Sequence, residues 1–95
     1  GGGLIENIPR ILPKSCNARI DRSSWRLPAV FQWLQDAGNL EDRELYRTFN
    51  CGLGMVLVVE QSKAIAAIDL LCTYGLQAWL VGDIVNGDGS VEIIR

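Results

Sequence analysis

The chain has 95 residues, enough for one small domain, and 48% of them are apolar against 21% charged, a balance that excludes intrinsic disorder as the default. Nine Lys+Arg against 11 Asp+Glu give a net charge of −2, which argues against a nucleic-acid binder. Histidine is absent, which removes the usual general base near neutral pH, the Ser-His-Asp and Cys-His arrangements, and the commonest metal ligand.

The glycine triplet Gly1-Gly2-Gly3 is followed by Leu4, Ile5, Ile8, Ile11 and Leu12 at helical spacing, so a glycine turn leads into one or two helical turns that end by Pro13. Residues 16–22 read as a short strand, from the alternation of Ala18 and Ile20 around Arg19. Pro28 suits the first turn of a helix running to Ala37, with Gly38 as its C-cap. A second helix runs from Leu40 or Glu41 to Phe49, with Glu41, Asp42 and Glu44 at its positive end. The run LGMVLVV at 53–59 is almost continuously apolar and predicts a strand buried on both faces. Ser62 then caps a helix to Tyr74, with Ile65, Ile68, Leu71 and Cys72 as its buried stripe and Gly75 as its stop. Residues 77–85 form another strand, and Asn86-Gly87-Asp88-Gly89-Ser90 turns a hairpin into a last strand at Val91–Ile94. The expected class is α+β: helices packed on one face of a small, mostly antiparallel sheet. Trp25, Trp33 and Trp79 are expected in the core or at an interface.

Charge is unevenly placed. Residues 1–26 hold five bases against two acids, or +3, and the rest hold four against nine, or −5. A basic end on an acidic chain points to a small anionic ligand rather than a polyanion. Cys16, Cys51 and Cys72 form no CxxC pair, which disfavours a disulfide framework or a zinc site and fits a reducing cytosol. No apolar run approaches the ~18–20 residues of a membrane span, and no basic-then-apolar leader opens the sequence, so a soluble cytoplasmic protein without membrane partners is expected.

Two stretches could carry chemistry. Gly1, Gly2 and Gly3 before a short helix let backbone N–H groups approach an anion, and Asn7 and Arg10 lie further along the same face, where both could reach it. The alternatives are a vector-derived or mobile end for the glycines and a solvated surface arginine for Arg10. The second stretch, RTFNCGLG from Arg47 to Gly54, joins a helix end to the apolar run through Asn50, Gly52 and Gly54. Its alternative is a tight connection whose glycines serve conformation and packing alone. Cys51 has no histidine to activate it and reads as a small buried hydrophobe, and Asp83 reads as a solvent-facing strand residue.

GGGLIENIPRILP at 1–13, WRLPAVFQWLQDAG at 25–38 and YRTFNCGLGMVLVV at 46–59 resemble the aminoimidazole ribonucleotide synthetase family, also called phosphoribosylformylglycinamidine cyclo-ligase. The helix at 62–74 and AWLVGDIV look like the same family's C-terminal region. The resemblance implies the last third of a longer, homodimeric enzyme, beginning inside its C-terminal domain, whose N-terminal domain supplies most of the ATP site and the dimer contact. It implies ATP- and Mg-dependent closure of the imidazole ring of formylglycinamidine ribonucleotide, with ADP and phosphate as by-products. It places Gly1, Gly2, Gly3, Asn7 and Arg10 on the substrate-phosphate side of the cleft, and Arg47, Asn50 and Gly52 elsewhere in it. No catalytic acid or base and no metal ligand is indicated among these residues. Alone, the 95-residue chain is expected to be inactive, to hold no cofactor, and to self-associate through the apolar run. The rival readings are a related superfamily member, formylglycinamidine ribonucleotide amidotransferase, and a non-catalytic interaction module.

Overall fold

The computed structural model describes residues 2–95. In chain order the elements are α1 (Leu4–Asn7), a 3-10 turn (Ile8–Ile11), β1 (Cys16–Asp21), α2 (Ala29–Gly38), α3 (Asp42–Thr48), a 3-10 turn (Gln61–Lys63), α4 (Ala64–Thr73), β2 (Gly82–Asn86) and β3 (Val91–Ile94). The class is α+β, as expected.

Pro9 explains why the first helix is short. It sits at the start of the 3-10 turn, where its missing N–H costs no hydrogen bond, and the α-helix stops at Asn7. Pro28 is the residue before α2 rather than its first residue, and the helix runs one position past Ala37. The left-handed C-cap is Asn39 (φ 52°), not Gly38, since asparagine also tolerates that conformation. Ser62 does not cap α4 but lies within the preceding 3-10 turn, and no side chain caps either element. Gly75 (φ 79°) follows α4 as expected.

The sheet has the order β2-β1-β3, antiparallel between β1 and β2 and parallel between β1 and β3. The expected hairpin at 86–90 is therefore absent, because β1 occupies the slot between the two strands it would have paired. The connection crosses the start of β1 instead, a span of about 10 Å that four residues cover easily. Asn17, the buried polar residue of β1, holds it there: its Oδ1 accepts the backbone N–H groups of Asp88, Gly89 and Ser90 at 2.8, 3.0 and 2.9 Å. Arg19 faces Asp83 across the antiparallel ladder and donates two hydrogen bonds to it, Nε at 3.1 Å and Nη2 at 2.8 Å. Asp83 is thus a solvent-facing strand residue, and this pairing holds its pKa below the usual carboxylate value.

The core gathers Leu4, Ile8, Ala18, Ile20, Val91, Trp25, Leu45, Tyr46, Cys51 and Leu53. Leu45 and Cys51 are its fully buried centre. Trp25 stands edge-on to Tyr46, centroids 6.3 Å apart, and its indole N–H donates to the Cys51 carbonyl at 3.0 Å. Trp33 and Trp79 stay exposed.

The largest departure from expectation is the run at 53–59. It forms no strand and, past Leu53, it is not buried: Met55 is 82% exposed and Leu57 58%. Among the described residues, no backbone N–H or C=O from Gly54 to Val59 has a hydrogen-bond partner, so the apolar segment joins no ladder. The strand expected over 77–85 correspondingly begins only at Gly82, where β1 becomes available to pair. The stripe expected to bury α4 is likewise open: Ile65 and Cys72 are exposed, Ile68 and Leu71 half-buried. No helix among the described residues is long and apolar enough to cross a membrane.

Candidate functional site

The two stretches singled out in the sequence meet. The Gly3 N–H donates to the Arg47 carbonyl at 2.6 Å, which joins the N-terminal glycines to the end of α3. The approach demands glycine: a Cβ on Gly3 would press on the carbonyls of Tyr46 and Phe49 and lie 2.7 Å from the Phe49 nitrogen. The Gly3 carbonyl accepts both the backbone N–H and the side-chain Nδ2 of Asn7, each at 3.0 Å, which locks Asn7 against the glycine turn.

The chain then leaves α3 through an unusual bend. Asn50 Oδ1 accepts the Gly52 N–H at 2.9 Å, and Cys51 and Gly52 both take positive φ, 56° and 98°. At Gly52 a Cβ would also meet Pro28 Cγ at 2.7 Å, so this glycine is required twice over. Cys51 is held inward, its thiol 3.6 Å from the Phe49 carbonyl, and burial raises its pKa to about 11. A thiol so protonated is no nucleophile at neutral pH, in keeping with its reading as core.

Between the two stretches lies a depression of about 360 Å³. Gly2, Gly3, Asn7 and Asn50 line its polar side, and Leu4, Ile8, Ile11, Leu53, Met55 and Val56 its apolar side. Of the residues expected at the site, the structure thus brings together Gly2, Gly3, Asn7 and Asn50. Gly1 lies outside the described residues. Arg10 is exposed on the 3-10 turn, outside the lining, and has no ion-pair partner among the described residues. Arg47 contributes its carbonyl rather than its guanidinium, which faces Glu6 at 3.9 Å and Glu44 at 3.8 Å. Gly52 lines a second, apolar groove on the other side of the 53–56 segment.

The apolar wall escaped the sequence reading. Ile8 and Ile11, one turn apart beside Asn7, carried the available signal; the Leu53–Val56 side did not, because a continuous apolar run reads as buried strand.

The fold is a small α+β domain with a glycine-walled, half-apolar depression, where the described residues place no nucleophile–base pair. Over residues 1–95 the chain matches the family model described as AIR synthase related protein, C-terminal domain. The chain belongs to that family.

Proposed function

We propose that the chain is the C-terminal part of an ATP-dependent cyclo-ligase that converts formylglycinamidine ribonucleotide to aminoimidazole ribonucleotide in purine biosynthesis, and that it supplies the substrate-phosphate side of the cleft. Membership of the AIR synthase related family, which includes ATP-dependent ligases, supports the reading. The single observation that carries it is the Gly3–Arg47 backbone bond, which fuses the two resembling motifs into one depression. In that site Asn7 and Asn50 set neutral amides against an apolar wall, an arrangement that orients a ligand without titrating. Arg10, exposed on the adjoining turn outside the lining, would have to swing inward to supply the positive charge that a phosphate requires.

The glycines lead into no Lys-Ser/Thr pair, so on this reading they serve the substrate phosphate rather than the nucleotide. ATP would supply phosphoryl transfer to the formyl oxygen, and its site belongs to the rest of the enzyme. On this reading the 95-residue chain alone is expected to be inactive, and Mg-ATP with substrate should release no ADP. Calorimetry tests the assignment. Formylglycinamidine ribonucleotide should bind in the millimolar range, more tightly than its formylglycinamide counterpart, which has an amide oxygen in place of the amidine nitrogen. Equal binding of the two favours the amidotransferase reading over the cyclo-ligase, and binding of neither overturns both.

A further inference from the structure

The connection Asn86-Gly87-Asp88-Gly89 between β2 and β3 carries a chemistry that the candidate site does not use. Asparagine or aspartate followed by glycine closes on itself most readily, because no Cβ shields the following nitrogen. Asn86 is the only asparagine in the chain that precedes glycine, and Asp88 the only aspartate. We propose that this run is a latent succinimide site, kept closed by the start of β1 and modified when that contact opens. The inference rests on the fold and not on the proposed function. In the reaction the Gly87 nitrogen gives up its proton and attacks Cγ of Asn86. The N–Cγ bond forms, the Cγ–Nδ2 bond breaks, and ammonia leaves with the proton. Water then opens the ring at either carbonyl and leaves aspartate or isoaspartate at position 86. At Asp88 the Gly89 nitrogen attacks in the same way, water is the leaving group, and hydration returns aspartate or isoaspartate.

Three observations carry it. The first is that packing demands the reactive sequence. A Cβ on Gly87 would collide with the Asn17 side chain, and Gly89 takes a left-handed φ of 92°, so neither glycine is free to change. The second is that both nucleophilic nitrogens are held as donors by the start of β1. The Gly87 N–H donates to the Ser15 carbonyl at 2.8 Å, and the Gly89 N–H to Asn17 Oδ1 at 3.0 Å. A bonded amide reacts only through an opening that releases it. The third is the ladder itself. Asn86 ends β2 opposite Cys16, and ring closure requires its side chain to turn onto the next nitrogen, out of the extended strand. Asn86, Gly87 and Asp88 are nonetheless exposed, so water reaches them once the contact lifts. The product does not close again. Isoaspartate adds one carbon to the backbone, which puts Gly87 out of step with Ser15 and the next three amides out of step with Asn17.

Peptide mapping by mass spectrometry, after incubation of the 95-residue chain at mildly alkaline pH, tests the proposal. Conversion at position 86 should be at least about tenfold slower in the folded chain than in the same chain unfolded in urea. Asn17→Ala releases the connection and should speed conversion about tenfold, whereas Asn17→Asp keeps the oxygen and should leave it slow. Gly3→Ala, which weakens the fold away from this contact, should leave it slow as well. Equal rates in the folded and unfolded chains overturn the gate. An Asn17→Ala rate no faster than the parent, or a Gly3→Ala rate that rises as much, overturns the role given to β1. Should Asn17→Ala not fold, hydrogen exchange of the intact chain decides. The Gly87 and Gly89 amides should then exchange far more slowly than in urea, and exchange of either at its unfolded rate overturns the proposal.

Discussion

Gly3 shows how a single missing atom assembles the site. The close contact of its backbone with the end of α3 is what brings Asn7 and Asn50 to one depression, so a methyl group there should cost both stability and binding. Gly3→Ala must push α1 away from the Tyr46–Phe49 carbonyls and is expected to destabilise the fold by about 2–4 kcal/mol, read as a lowered urea midpoint at unchanged slope. Gly54→Ala makes the control, because a Cβ there meets nothing within 4 Å. A loss at Gly3 no larger than at Gly54 would remove the packing argument. At Arg47 the backbone carbonyl joins the glycine turn, while the guanidinium faces Glu6 and Glu44.

At the scale of elements, β1 is the organiser. It carries both ladders, and Asn17 at its start ties down the connection between the strands that flank it. Asn17→Ala leaves three N–H groups without their acceptor and is expected to cost about 2–4 kcal/mol, whereas Asn17→Asp keeps the oxygen and should cost less than about 1 kcal/mol. Thermal melts of the two variants check the order, and equal losses would show that the amide Nδ2, not the oxygen, matters. These elements also show what could be read in advance. Period and punctuation located α1, β1, α2, α3, α4 and β3 to within a few residues, since each depends on local spacing and on proline or glycine stops. Pairing could not be read in this way. Asn-Gly-Asp-Gly marks a reversal whether the strands it joins are neighbours or are parted by a third, and only the long-range insertion of β1 decides which. The run at 53–59 failed for the same reason: its composition is that of a buried strand, but a strand exists only where a partner edge does.

For the molecule as a whole, the charged surface sets the response to acid. Asp42, through hydrogen bonds from Arg22 and then Gln35, Asp83 through Arg19, and Asp21 through Ser23 all have pKa values held below their ordinary 3.8. The unfolded chain therefore binds these protons first, so the stability they contribute is fully present above the ordinary carboxylate value and is lost as pH falls through the lower folded values. Urea midpoints should be flat from about pH 7 to about pH 5 and decline below about pH 4, with a shallower decline in high salt because these groups are exposed. A midpoint that rose on acidification would contradict the sign.

The proposed function makes the glycine turn and the Asn50 bend two walls of a single ligand site. Backbone amide shifts recorded while formylglycinamidine ribonucleotide is added to the 95-residue chain test it most directly. The largest changes are expected at Gly3, Asn7, Asn50 and Gly54 together, moving with one dissociation constant, with little change along α4. Shifts confined to one of the two stretches, or no larger there than on Ala64–Thr73, would contradict it.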